Sequence, residues 1–172
     1  SNFTIYSPTT YEELKHDMHR AVYEDSNVVA IRYPRGGEFV IPDDFKPTYG
    51  LFDIYGDENA DVSIVTYGRI FSNACKAVNE LKNQGKAVKI IKLNKIKPLD
   101  SGIIEALKND KHIFFFEEGI QNGGVGEKLA LRLLESGYKG EYKRTAVDYC
   151  FVEQGSVEST IKKNNLDSQS IC

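Results

Sequence analysis

His112-Ile113-Phe114-Phe115-Phe116-Glu117-Glu118-Gly119 is the stretch on which the fold turns. Four large apolar residues in a row, with no polar alternation, describe a strand buried on both faces. Such strands belong to parallel sheets sandwiched between helices. Toward the amino end, Ala87 to Leu93 and Val62 to Tyr67 are further β-rich runs. Helical patterns separate them: Ala74, Ala77, Val78 and Leu81 share a face before Gly85, and Ile103, Ile104 and Leu107 follow Pro98 and Asp100. Toward the carboxyl end, Gly123-Gly124-Val125-Gly126 introduces a helix carrying Leu129, Leu133 and Leu134, which Gly137 stops. Tyr142 to Val147 is one more strand, Ser156 to Lys163 a final short helix, and Tyr49 to Tyr55 the strand that opens the series. The alternation predicts an α/β fold, a three-layer α/β/α unit with a mostly parallel five-stranded sheet.

A smaller unit precedes it. Thr4 to Ser7 is β-like, and Thr10-Tyr11-Glu12-Glu13 is a capping box opening a helix to about Tyr23. Leu14, Met18, Ala21 and Val22 fall on one helical stripe, Asp25-Ser26-Asn27 break the helix, and Val28 to Tyr33 is a strand. This makes a β-α-β unit over residues 3–35. Residues 36–48, with two glycines and two prolines, have the composition of a surface linker, and 49–172 form the larger unit. Truncation to one β-α-β unit leaves an edge free to fray or to pair with another copy.

Bulk composition narrows the function. At 172 residues and 41% hydrophobic content the chain can bury a real core. Its 22 basic and 25 acidic residues nearly balance and form no basic stripe, which argues against nucleic acid as a partner. No apolar run reaches the roughly 20 residues of a membrane span and no charged-then-apolar leader opens the chain, so it reads as soluble and cytoplasmic. The opening Ser1-Asn2 reads as a protease-cleavage scar on a fragment. Cys75, Cys150 and Cys172 are scattered and read as reduced thiols; His16 and His19, three residues apart on a helix, read as solvent-facing rather than as a metal pair.

Three motifs sit where chemistry could occur. Arg32-Tyr33-Pro34-Arg35-Gly36-Gly37 places two guanidinium groups behind a strand end, each a planar fork suited to phosphate or carboxylate oxygens. The alternative is a turn with solvated arginines. Glu117 and Glu118 are adjacent on an extended chain and point to opposite faces, so they cannot work as one acid–base pair. One can serve inward; a structural role has one carboxylate accepting backbone amides of the next loop and the other meeting solvent. Gly123-Gly124-x-Gly126 can present amides to phosphate at a helix start, or simply pack closely against the sheet. No Gly-x-Ser-x-Gly elbow and no nucleophile with an evident histidine base appears.

Taken together, these pieces resemble the C-terminal part of the 1-deoxy-D-xylulose 5-phosphate synthases, thiamine-diphosphate enzymes of the transketolase superfamily. The resemblance is carried by Ala30-Ile31-Arg32-Tyr33-Pro34-Arg35-Gly36, Asp61-Val62-Ser63-Ile64-Val65-Thr66-Tyr67-Gly68, Ile96-Lys97-Pro98-Leu99-Asp100, and Phe116-Glu117-Glu118-Gly119 with Gly123-Gly124-Val125-Gly126. Phe151 to Ser156, Leu166-Asp167 and Ile171 resemble the family's ending. The resemblance implies that 3–35 end a pyrimidine-binding domain and that 49–172 are a transketolase C-terminal domain. It implies a homodimeric parent enzyme that joins decarboxylated pyruvate to glyceraldehyde 3-phosphate for isoprenoid, thiamine and pyridoxal synthesis. Arg35 matches the arginine that grips the aldehyde's phosphate, whereas Arg32 matches no ligand position. Thiamine diphosphate, Mg²⁺ and the catalytic residues are implied to lie upstream, leaving a fragment with no catalytic, cofactor or metal site and no turnover of its own. Arg-Tyr-Pro-Arg-Gly argues against a 2-oxoacid dehydrogenase β subunit or a split transketolase; a non-catalytic assembly module is the other alternative. One departure is at Asp148, three residues before Phe151 rather than two, so the loop there is expected to differ.

Overall fold

A computed structural model describes residues 2–172; Ser1, half of the pair read as a cleavage scar, lies outside them. The chain runs β1 (Phe3–Tyr6), α1 (Tyr11–Tyr23), β2 (Val28–Ile31), β3 (Phe52–Gly56), β4 (Val62–Thr66), α2 (Ile70–Asn83), β5 (Lys89–Leu93) and β6 (Lys95–Lys97). It continues through α3 (Gly102–Leu107), β7 (His112–Ile120), α4 (Val125–Glu135), β8 (Glu141–Val147), α5 (Val157–Lys163) and α6 (Ser168–Ile171). Five strands form the main sheet in the order β3-β5-β4-β7-β8, all parallel except the edge strand β3.

Strand alternation sends Ile64, Ile90 and Phe116 to one face, against Phe71, Ala74 and Val78 of α2 and Ile171 of α6. Val65, Ile91, Ile113 and Phe115 face the other way, onto Ile103 and Leu107 of α3 and Leu129 and Leu133 of α4. Each buried Val, Leu, Ile or Phe among them contributes about 1.5–3 kcal/mol by leaving water, so this three-layer core is the main stabilising element. The expected architecture is therefore present. Strand β7 runs on to Ile120, so Glu117-Glu118-Gly119 lie within it rather than beyond it.

Two strands start or stop differently from expectation. Tyr49 takes φ +56, a left-handed conformation incompatible with a strand, so β3 begins at Phe52 and not at Tyr49. β2 ends at Ile31 rather than Tyr33, just ahead of Pro34.

The second sheet covers one edge of the β-α-β unit and leaves the β2 edge open. β1 pairs in parallel with β2, Ile5 opposite Ala30, and on its other side takes β6 antiparallel, Ile5 opposite Lys97. The small sheet thus borrows a strand from beyond residue 49. Helix α1 starts as predicted: Thr10 Oγ1 accepts from Glu13 N at 3.1 Å, and Glu13 Oε2 accepts from Thr9 N and Thr10 N at 2.8 and 3.1 Å. Its apolar stripe does not face the core, however. Met18 and Val22 are 55% and 67% exposed, while Glu13 and Asp17 are buried.

Candidate functional site

The inversion of α1 has an electrostatic cause. Lys92, on β5 and wholly buried, points its ammonium between helix and sheet, 2.5 Å from Glu13 Oε1 and 3.5 Å from Asp53 Oδ2, and also donates to Asn94 Oδ1. Asn94 in turn donates to Asp53 Oδ2 at 2.8 Å, and Thr48 donates to Asp53 Oδ1 through its backbone N–H and hydroxyl. A buried ammonium needs paired carboxylates, so α1 docks through its acidic side. The signal in the sequence is a lysine interrupting the apolar run Ile90-Ile91-Lys92-Leu93.

Asp17 shares this interface. Burial, reinforced by the Glu13 carboxylate, pushes its pKa from 3.8 up to about 7, with Arg20 and Lys92 pulling the other way. The native state therefore holds a proton that the unfolded chain releases above pH of about 4. The associated stability is complete below that unfolded value and is lost as pH rises through about 7. Asp17→Asn is expected to match the native protein near pH 4 and to exceed it by about 2 to 4 kcal/mol at pH 8, read by denaturant unfolding across that range.

With α1 fixed, its amino end and the carboxyl ends of β1 and β2 enclose a cavity of about 520 Å³, and Arg35 lies on its wall with Thr10, Tyr11, Leu14, Glu38 and Phe39. This is where parallel strands present ligands. A second cavity of about 680 Å³ lies at the opposite, amino end of β5, between Asp44, Asp57, Lys82 and Lys86. Arg35 is exposed, and among the described residues no carboxylate lies within ion-pair distance of it. Its guanidinium is thus available to an anion. Arg32 differs. Its guanidinium stacks over the Tyr67 ring at 5.3 Å and reaches Glu118 Oε2 at 3.9 Å.

The two adjacent glutamates do point apart. Glu117, wholly buried, accepts from Tyr67 Oη at 2.9 Å and from Val125 N and Gly126 N, both at 3.0 Å. It therefore seats the amino end of α4. The glycines at 124 and 126 are needed because a Cβ at 124 would meet Glu117 Oε1 at 2.5 Å and one at 126 would meet Phe115 Cδ1 at 2.8 Å. The amides that could have held phosphate are already engaged, which leaves close packing as the role of this loop. Burial and the Glu117 charge push the Tyr67 hydroxyl well above its ordinary pKa.

Glu118 is half-buried and meets solvent in part, as expected for one of the pair, but it also has cationic partners. It lies 3.0 Å from Arg69 Nε, off the line of a good hydrogen bond, and beside Arg32. Arg69 also stacks over Phe39, at 5.7 Å, so the wall of the Arg35 cavity is braced against the main sheet. Thr9 Oγ1 adds a hydrogen bond to the Gly68 carbonyl at 3.2 Å. The roles of Arg32, Arg69 and Glu118 were not legible from position, since the partners lie on separate elements. His16 stacks on Tyr49 and His19 pairs with Glu24. Around Asp148, where a departure was expected, the Cys150 amide turns back to the Asp148 carbonyl, and Tyr149 and Phe151 stand in solvent.

Residues 54–171 match the family model described as "Transketolase, C-terminal domain". The chain belongs to that family. Among curated relatives of this transketolase C-terminal domain are proteins named 1-deoxy-D-xylulose-5-phosphate synthase from Clostridium botulinum, Shouchella clausii and Bacteroides fragilis, 35%, 31% and 32% identical. Each alignment covers 99% of this chain but only 27–28% of the relative, so the chain spans little more than a quarter of their length. A solved structure titled "Split gene transketolase, inactive beta4 tetramer" superposes with a TM-score of 0.82 at 21% identity, over 99% of this chain and 55% of that one. It shows the shared fold.

Proposed function

We propose that this transketolase C-terminal domain, with the β-α-β unit before it, is the closing part of a 1-deoxy-D-xylulose 5-phosphate synthase, and that Arg35 binds the phosphate of glyceraldehyde 3-phosphate. The observation that carries this reading is an unpaired guanidinium on the wall of a cavity at the carboxyl ends of two parallel strands. A bidentate arginine suits a phosphate monoester, and Leu14 and Phe39 offer apolar surface to the carbon chain. The relatives' printed name supports the choice of substrate. The reaction would join pyruvate to the aldehyde with loss of CO₂.

Thiamine diphosphate supplies the carbanion chemistry when bound, and Mg²⁺ anchors its diphosphate. Among the described residues no three His, Cys, Asp or Glu side chains converge to hold a metal ion, and Glu13, Asp53 and Glu117 are committed to structural partners. The residues present do not fit that cofactor. In this reading its site belongs to other parts of the enzyme, and this chain supplies substrate orientation. Assembly into a homodimer in a cytoplasmic enzyme completes the proposal; no described helix is long and apolar enough to cross a membrane.

Arg35→Ala tests the reading. In the complete enzyme the substitution is expected to raise the Michaelis constant for glyceraldehyde 3-phosphate far more than that for pyruvate. The loss corresponds to about 1.5 to 3 kcal/mol, the worth of a charge-assisted contact. Equal effects on both substrates would remove Arg35 from the phosphate site.

A further inference from the structure

The cavity that holds Arg35 already contains an anion of its own. Glu38 Oε1 accepts from the Tyr11 backbone N–H at 2.9 Å, on the first turn of α1. The other amides there are differently placed: those of Thr9 and Thr10 go to Glu13, and that of Glu13 goes to Thr10 Oγ1. Glu38 therefore sits as a carboxylate on the positive end of a 13-residue helix, in the same cavity as the unpaired guanidinium. Only Gly36 and Gly37 separate the two charged residues. Gly36 takes φ +117, and a Cβ at either glycine would meet nothing within 4 Å, so this short link has room to swing.

We infer that Glu38 is an internal competitor for the phosphate pocket: seated on the Tyr11 amide it places negative charge where the substrate's phosphate must enter, and the Gly36-Gly37 link releases it when that phosphate binds. The inference rests on the phosphate reading of Arg35 given above. Its mechanism is a population shift, since affinity falls by the fraction of molecules in which the pocket is open. A carboxylate seated in about nine of ten molecules weakens apparent binding about tenfold. Residue type alone does not point to this role, because Glu38 falls in a segment with the composition of a solvent-exposed linker.

The test uses inorganic phosphate and the 172-residue chain in calorimetric titration, with thermal unfolding to verify that each variant folds. Glu38→Gln keeps an acceptor for the Tyr11 amide but loses the charge that opposes phosphate and strengthens the seat, and is expected to bind phosphate up to about tenfold more tightly than the native chain. Glu38→Asp keeps the charge but shortens the reach to the Tyr11 amide by one methylene, which weakens the seated contact, and is expected to tighten binding as well. Arg35→Ala is expected to abolish binding. If Arg35→Ala loses affinity while Glu38→Gln binds no better than native, the competitor role is overturned and the phosphate reading stands. Tightening by Glu38→Gln without Glu38→Asp would show general charge repulsion and overturn the seated contact. Phosphate binding unaffected by Arg35→Ala, or absent even in Glu38→Gln, would overturn the competitor together with the site it guards.

Discussion

Lys92→Met is expected to destabilise the chain by about 3 to 5 kcal/mol, measured by urea unfolding. The substitution nearly preserves volume, so the loss is electrostatic. Glu13 and Asp53 would remain buried without the ammonium that now lies 2.5 and 3.5 Å away, and uncompensated buried charge is far costlier than a missing contact. Part of the loss returns if the carboxylates are neutralised, so Lys92→Met combined with Glu13→Gln is expected to be more stable than Lys92→Met alone. A second consequence concerns position rather than stability. Glu13 belongs to α1 and Lys92 to β5, so breaking the pair loosens the helix whose amino end forms the Arg35 cavity. If Arg35 binds phosphate as proposed, that affinity is expected to fall as well.

Glu117→Ala is the other large effect, about 3 to 4 kcal/mol by the same measurement. Three donors converge on this wholly buried carboxylate: the Tyr67 hydroxyl and the amides of Val125 and Gly126. Alanine leaves all three without an acceptor. Tyr67→Phe alone removes one donor and is expected to cost only about 1 kcal/mol, while in the Glu117→Ala background it should be nearly neutral or favourable. That sign change distinguishes hydrogen bonding from simple loss of packing, because a packing defect would be worsened by the second substitution.

The main sheet was legible because its strands leave little choice. A run such as Ile113 to Phe116 tolerates only burial on both faces, and the helices between strands carry apolar positions at helical spacing. The capping box at Thr10 to Glu13 was equally plain, since both of its hydrogen bonds are local. What could not be read depends on contacts between distant segments. β6 is three residues long, two of them lysines, and becomes a strand only because β1, some ninety positions earlier, lies beside it. Met18 and Val22 share a helical stripe, but spacing says nothing of which face docks, and here Lys92 decides in favour of Glu13 and Asp17. Arg35 stood out through residue type and position at a strand end. Its neighbour Glu38 and the bracing pair Arg69 and Glu118 required the fold to bring separate loops together.

The most direct test of the central claim is an amide-resolved titration of this chain, run in parallel with glyceraldehyde 3-phosphate and with unphosphorylated glyceraldehyde. If Arg35 binds the phosphate, the phosphate ester is expected to shift the signals of Tyr11 and of residues 35–39, and glyceraldehyde at the same concentration to leave them in place. Identical responses to both compounds, or phosphate-dependent shifts confined to another region such as Gly123 to Gly126, would contradict it.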